Sequence, residues 1–391
     1  MEVRKLTAEE RFEANLISTV AFHMRMEDPE KSRAESLKET KEDWGTFSDD
    51  GKMMARIINN RYDTWLDGQL IPNGGIGAVS TLPEYRNTGA VREIFNKLLP
   101  EAYRNGEIIS TLYPFSHAFY RKFGYETVCW RNDYEFAPAV LNGYRFSGTA
   151  ELWKSGDPVS EYTELYNQFA SGFNLAMRRD DRMMLRDHLK GEYYKDRKFG
   201  YLLREGGKPK AYLIFQDIRN DPAAILSVLD LAWEGREGLY AILGFLSRFT
   251  ADYGTIRIFL PRSIELLSVV QSPRVYDIRQ TARQDYMIRA INVRQLLEMI
   301  QKPDESRFVI RVEGDMQIPE NNGIWEVSGD GAAASETEPD LSVSIQAFGQ
   351  LVAGSVSLDE AMYRPDVEVK SNQDLLRRVF FRRPIMVQEH F

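Results

Sequence analysis

The sequence predicts a mixed α/β (α+β) protein of three consecutive units. Two mixed-sheet domains share one element order over residues 1–142 and 143–289, and a smaller α+β domain follows over 290–391. Three observations carry this. The chain has 391 residues, two to three times the size of one ordinary core. Strand-patterned and helix-patterned segments follow each other in the same order twice, and from about residue 290 the order changes. Hydrophobic residues are 43% and charged residues 28%, a globular composition rather than a disordered or fibrous one.

The elements read as follows. Thr7 to Glu10 has the pattern of a capping box, and Phe12, Leu16, Ile17, Val20 and Ala21 recur behind it at helical spacing as one buried stripe. A charged stretch over 28–43 favours helix; residues 52–59, 64–70 and 76–82 alternate as strands, with Asn73-Gly74-Gly75 as a turn signal and Pro83 as a stop. Val91, Ile94, Phe95, Leu98 and Leu99 share one face of a helix that should end or kink near Pro100, with Asn105-Gly106 as terminator. Residues 107–113 form a strand, and 118–123 a short helix with Phe119 and Phe123 one turn apart. The middle third echoes the order: a helix over 160–173, a hairpin about Gly206-Gly207, a strand over 224–233, a helix over 239–248 and a strand over 255–260. Strands follow at 308–312, 323–327, 341–345 and 367–369, with a helix over 347–353. Ser371 to Asp374 caps a last helix that turns Leu375, Leu376, Val379 and Phe380 inward.

Several classes of function are excluded. The formal charge of −8 argues against nucleic acid as a partner and suits a cationic substrate better. The lone Cys129 cannot close an internal disulfide. His23, His117, His188 and His390 are far apart and fit no metal-ligand spacing, so no metal is expected. HExxH, CxxC, GxSxG and Walker A patterns are absent. The start of the chain has no apolar signal core, and no apolar run approaches the roughly 20 residues of a membrane helix, so a cytoplasmic location without membrane contact is expected.

The informative stretch runs from Gly77 to Arg92, where a strand leads through Pro83, Arg86 and Gly89 straight into an amphipathic helix. The first turn of a helix carries unpaired N–H groups and a partial positive charge, a site for an anion. Gly89 removes the β-carbon where backbone must come close to the ligand, and Arg86 and Arg92 bracket a pyrophosphate. An ordinary strand–helix connection with solvated arginines fits the same pattern.

Val79, Pro83, Arg86, Gly89 and Arg92 match the acetyl-CoA loop of the GCN5-related N-acetyltransferases (GNAT), which this chain resembles. A second segment, Ala118 to Tyr125, is similar to that family's segment whose first tyrosine lies near the thioester sulfur. With the C-terminal aromatic Phe391, the whole chain resembles the Eis-type acetyltransferases: two tandem GNAT-like domains and a sterol-carrier-like domain. The resemblance implies acetyl-CoA as co-substrate, a primary-amine acceptor (a cationic small molecule of aminoglycoside or polyamine type, a peptide or a lysine side chain) attacking directly in a ternary complex, and a homo-hexamer. It implies that Tyr120 donates a proton to the leaving sulfur and that the Phe391 carboxylate returns to the N-terminal site, where its low ordinary pKa suits anchoring an ammonium and taking its proton through water. Coenzyme binding falls to Val79, Ser80, Thr81, Arg86, Asn87, Thr88, Gly89, Ala90 and Arg92, with Val79 and Thr81 pairing to the pantetheine arm like an added strand and Asn87 and Thr88 serving through backbone N–H groups.

Ser116 is read either as a coenzyme contact or as the N-cap of the short helix. Glu27, Asp28 and Glu30 fit an acidic amine entrance or a solvated face equally. In the second unit, Glu234 and Glu237 stand at the corresponding turn and would repel phosphates, so that copy is expected to be structural. The competing expectation is a non-catalytic protein whose sterol-carrier-like domain holds an apolar ligand.

Overall fold

A computed structural model of the chain describes residues 1–38, 41–128, 131–220, 223–270, 277–389 and 391; Cys129 and His390 lie outside them. Three sheets organise the chain. The first contains β1 (Glu2–Lys5), β2 (Glu42–Phe47), β3 (Met53–Leu66), β4 (Gln69–Thr81), β5 (Ile109–Leu112) and β6 (Glu126–Val128). The second contains β7 (Arg131–Phe136), β8 (Thr149–Leu152), β9 (Lys198–Glu205), β10 (Lys208–Asn220), β11 (Ala223–Trp233), β12 (Thr255–Pro261) and β13 (Ile278–Arg283).

Each of these sheets borrows a strand. In the first, β14 (Tyr286–Ala290) lies between β5 and β6; in the second, β7 lies between β12 and β13. Hydrogen bonding therefore crosses the sequence divisions at 142/143 and 289/290. Apart from these loans the orders are the same, β1-β2-β3-β4-β5 against β8-β9-β10-β11-β12, and in both the fourth and fifth strands are the parallel pair. The third sheet, in order β17-β16-β15-β18-β19, holds β15 (Phe308–Glu313), β16 (Gly323–Ser328), β17 (Gly331–Ala334), β18 (Leu341–Ser344) and β19 (Val367–Val369). The helix Ile345–Ala353 packs against this sheet and against β14.

Helix α1 (Arg11–Ala21) buries Phe12, Ala14, Ile17 and Ser18, while Leu16 and Val20 are exposed. The expected capping box is half formed: the Glu10 carboxylate accepts from Thr7 N–H at 2.9 Å and holds Arg4 bidentately, so the helix starts four residues after Thr7. The stretch after α1 contains α2 (Pro29–Ser36) and then β2, whose sequence lacks a clean alternation.

Residues 52–70 were expected as two strands, but β3 runs unbroken to Leu66 and turns at Asp67-Gly68, both with positive φ. Asn73-Gly74-Gly75 is not a turn; it lies inside β4. A β-carbon at Gly74 would sit 2.2 Å from Glu107 Oε2, and one at Gly75 would sit 2.6 Å from Tyr62, so these glycines admit neighbours rather than bend the chain.

Helix α3 (Ala90–Arg104) passes through Pro100 and ends at Asn105, with Gly106 at φ +80°. Its buried face (Ile94, Phe95, Leu98, Leu99, Ala102) packs on Ile57, Ile76 and Leu112, each large side chain contributing about 1.5–3 kcal/mol. That packing outweighs the bond lost at Pro100. The last helix, Gln373–Val379, begins from Asn372 in the left-handed region without a side-chain cap, and buries Leu376, Val379 and Phe380 as expected.

Candidate active site

β4 and β5 pair only between 73–76 and 109–112. Beyond Ile76 the β5-facing edge of β4 is open, and there a bulge sets Ala78 and Val79 against Ile57 alone, with Ala78 at φ +50°. The strand then leads through a 3₁₀ turn (Pro83–Tyr85) into α3. Asn87 has φ +64° and Gly89, the N-cap, φ +90°; glycine is therefore required at 89 by backbone conformation. Gly89 offers no side-chain cap, so the first N–H groups of α3 face outward unoccupied by the chain's own acceptors.

A cavity of about 670 Å³ lies over this elbow. Val79, Ser80, Thr81, Arg86, Asn87, Gly89, Ala90 and Arg92 all line it, eight of the ten residues expected there. Thr88 does not: its hydroxyl donates to Tyr85 O at 2.8 Å. Nor does Ser116, which is the N-cap of α4 (His117–Arg121) and accepts from Phe119 N. Within the lining, the Ser80 hydroxyl donates to Ala78 O, which leaves backbone as its main offering to a ligand. Lys122 and the rings of Phe22, Phe115, Phe119 and Phe123 also line the cavity. Arg86, Arg92 and Lys122 are exposed and have no carboxylate partner among the described residues. In the sequence Lys122 is one lysine behind Arg121 and carries no pattern of its own.

At the corresponding turn of the second sheet the charges are used up. Gly235 has φ +63°, Glu234 pairs with Lys210 at 2.6 Å, and the Glu237 carboxylate accepts from its own backbone N–H, which holds it below its ordinary pKa. A β-carbon at Gly238 would meet Lys210 O at 2.4 Å. Carboxylates thus accompany that helix start, where the first copy has exposed cations.

Tyr120 is buried on α4 between Phe95, Phe115, Phe119 and Tyr125, with ring centroids 5.2–6.2 Å away. Burial, with Tyr125 beside it, pushes its phenol well above the ordinary value, so it is protonated at any working pH. Its hydroxyl has no hydrogen-bond partner among the described residues, and Tyr120 is not among the residues that line the cavity, whereas its neighbours Phe115 and Phe119 are.

The C-terminal tail docks rather than frays. Asn174 N donates to Pro384 O (2.8 Å), Met386 N to Asn174 O (3.1 Å) and Gln388 Nε2 to Leu231 O (2.9 Å). Ile385, Met386 and Val387 are buried, and the Phe391 ring sits among Tyr62, Tyr113 and Tyr286 at 5.4–6.5 Å. A β-carbon on Gly77 would lie 3.0 Å from the Phe391 carboxyl carbon, and one on Gly75 3.1 Å from its ring. The chain terminus thus lies on β4 immediately before the bulge, on the face opposite α3. The tyrosine cage was not read from the sequence because its members are scattered over 224 positions, from 62 to 286. A second cavity of about 840 Å³ is bounded there by Tyr62, His188, Lys198, Asp230, Gln388 and Glu389. Glu27, Asp28 and Glu30 line neither cavity; they are exposed, and Asp28 caps α2 by accepting from Lys31 N.

Among the described residues there is no cluster of potential metal ligands and no helix long and apolar enough to cross a membrane. Residues 2–128 match the acetyltransferase (GNAT) domain family model, and residues 289–386 match the sterol carrier protein domain model. The chain therefore carries an acyltransferase domain at its front and a sterol-carrier domain at its end. No functionally curated protein matches its sequence. Solved structures of the same fold include Eis1 from Mycobacterium abscessus (18% identity, TM-score 0.84, all of both chains) and a GCN5-related N-acetyltransferase from Anabaena variabilis (20%, 0.86, all of both chains). A conserved protein of Enterococcus faecalis, described as an N-acyltransferase candidate, has 20% identity and TM-score 0.87 over all of this chain and 99% of its own. The Eis-type architecture of tandem GNAT folds followed by a sterol-carrier-like unit is the architecture of this chain.

Proposed function

We propose that the chain is an acetyl-CoA-dependent N-acetyltransferase whose acceptor is a primary amine of a cationic small molecule or a lysine side chain, reacting directly in a ternary complex. The observation that carries this reading is the meeting on one strand of an unneutralised cationic elbow and a docked chain terminus: Arg86, Gly89 and Arg92 follow β4, and the Phe391 carboxylate abuts Gly77 on it.

The first N–H groups of α3 with Arg86, Arg92 and Lys122 suit the coenzyme's diphosphate. The open edge of β4 beyond Ile76 suits the amide-bearing arm, which would lie along it as an added strand. The acyl carbon then comes to rest near the bulge. An acceptor reaching the terminus from the side of Tyr62 and Glu389 meets the Phe391 carboxylate, which anchors its ammonium and takes the proton through water. The freed lone pair attacks the thioester carbonyl, the C–S bond breaks, and the sulfur leaves with a proton from Tyr120; the second proton of the attacking nitrogen passes through water to the Tyr120 phenolate, so the products are an amide, the free thiol and the one proton taken by the carboxylate. The second copy, with Glu234 and Glu237 at its helix start, serves as scaffold. By likeness to the Eis type a hexamer in the cytoplasm is the expected form, which light scattering on the purified chain measures for oligomer size.

Calorimetry with acetyl-CoA and release of free thiol over a panel of amines test the reading together. One coenzyme site per chain and amine-dependent thiol release are expected; no heat of binding and no release refute it.

A further inference from the structure

The bulge of β4 has a counterpart. Between β10 and β11 the register shifts at Ile214/Phe215 and leaves Leu229 as the extra residue, so Asp230 follows the bulge as Ser80 does in the first copy. Asp230 is buried and accepts from Arg179 Nη1 at 2.8 Å and from Tyr212 Oη at 2.9 Å. Arg179 in turn lies 3.5 Å over the Tyr166 ring and donates through Nε to Glu389 Oε1 at 2.6 Å. Tyr166 donates to the same carboxylate at 3.2 Å. Glu389 is two residues from the chain end, and its backbone carbonyl accepts from Tyr113 of the first half at 2.9 Å.

We infer that Arg179 is a positioning residue for the Phe391 carboxylate: the altered acyl-transfer bulge of the second copy has become a buried clamp that sets where the terminus lies on β4. This rests on the acetyltransferase reading above and gives the second copy a part in it. Buried charges are retained only when partners hold them, and an apolar pair would fasten a tail as well but would not fix its register along the strand. Here the grip is doubled. The side chain of Glu389 is held by the second half and its main chain by the first, which limits how far Phe391 can slide along β4.

Glu389→Gln is the informative variant, because Arg179 keeps Asp230 as a partner and no buried cation is orphaned. We expect kcat for amine-dependent thiol release to fall about tenfold or more with the KM for acetyl-CoA unchanged, since small misplacements of a reacting group cost up to about 10²-fold. Release of Phe391 by a carboxypeptidase should become several-fold faster. In a chain ending at residue 390 the same substitution should cause no further loss. Unchanged kcat and unchanged Phe391 release, or an equal loss in the shortened chain, overturn the inference while leaving the acetyltransferase reading intact. A shortened chain as active as the full one overturns the role of the carboxylate and this inference with it.

Discussion

Gly77→Ala tests the placement of the chain end at the smallest scale available. Gly77 has no positive φ, so alanine is free to adopt its backbone, and a strand interior gains about 0.5–1 kcal/mol from the change. The new methyl would lie 3.0 Å from the Phe391 carboxyl carbon and 3.3 Å from its oxygen, and 3.3 Å from Asn60 Nδ2. Ordinary contact begins at about 3.4 Å, so the terminus must retreat by a few tenths of an ångström. Overpacking of this kind costs about 1–3 kcal/mol, which leaves a net loss of about 1 kcal/mol and a folded enzyme. Turnover should suffer more, because the displaced group is the one proposed to hold the amine: kcat is expected to fall about 3- to 10-fold. The assay is thiol release at saturating acetyl-CoA with the amine varied, beside calorimetry of the coenzyme. Affinity for acetyl-CoA should be unchanged. Gly329→Ala, where a β-carbon meets nothing within 4 Å, is the control and should be silent. Wild-type kcat in Gly77→Ala, or the same loss in a chain without Phe391, would refute the placement.

Arg86→Ala removes one of three exposed, unpaired cations of the elbow, so coenzyme affinity should drop by about 1–2 kcal/mol in calorimetry while the melting temperature holds; unaltered affinity would deny the arginine its anion. Tyr120→Phe keeps the packing against Phe95 and Phe115 but removes the proton donor, and kcat should fall by about 10²–10⁴-fold at unchanged coenzyme KM; full turnover would return Tyr120 to packing alone. Glu107 gives a pH prediction. Its burial, against the hydrogen bond from Asn59 and the charge of Arg61, lifts its carboxyl from 4.5 to about 7. The folded chain thus retains a proton that the unfolded chain releases, so its contribution is intact below about pH 4.5 and is lost as pH rises to about 7, a change of about 3 kcal/mol. Glu107→Gln should therefore melt several degrees higher than the parent at pH 8 and nearly with it at pH 4.5; equal shifts at both would rule out the buried proton.

What the sequence discloses depends on whether a signal is local. The elbow from Arg86 to Arg92 is local: a strand, a proline, a left-handed glycine and an amphipathic helix fall within one stretch, and eight of the ten residues expected at the cavity line it. The helix at α4 was equally legible, and Ser116 caps it, one of its two expected roles. Gly74 and Gly75 misled because Asn-Gly-Gly signals a turn unless one knows that Glu107, Tyr62 and Phe391 arrive from far away to use the space. Leu16 and Val20 misled differently: the helical period was right, but the buried stripe is rotated toward Ala14 and Ser18, the latter within 3.2 Å of Ser80 Oγ. β14 and β7 have ordinary strand patterns, and nothing in such a pattern states which sheet will take it.

The two loans of strand bear on why these units form one chain. Without β14, β5 and β6 would lose their partner on one side each, the Met287–Leu112 and Tyr286–Val128 registers among them, and two sheet edges would open beside the proposed site. Without β13 and β12, β7 would dangle in the same way from the first half. The third unit ties in through the buried Arg289–Asp315 pair at 2.7 Å, from a strand of the first sheet to a loop of the last, and through Arg383–Asp67 at the base of the tail. A terminus that must reach Gly77 from residue 391 needs each of these fixtures in turn, because an error in any one moves the carboxylate along β4. The cationic elbow needs none of them beyond its own strand and helix. Under the proposed function, coenzyme binding would be a property of one local stretch and placing the carboxylate a property of all three units, which gives the second copy a part through Arg179 although it carries Glu234 and Glu237 at its own helix start.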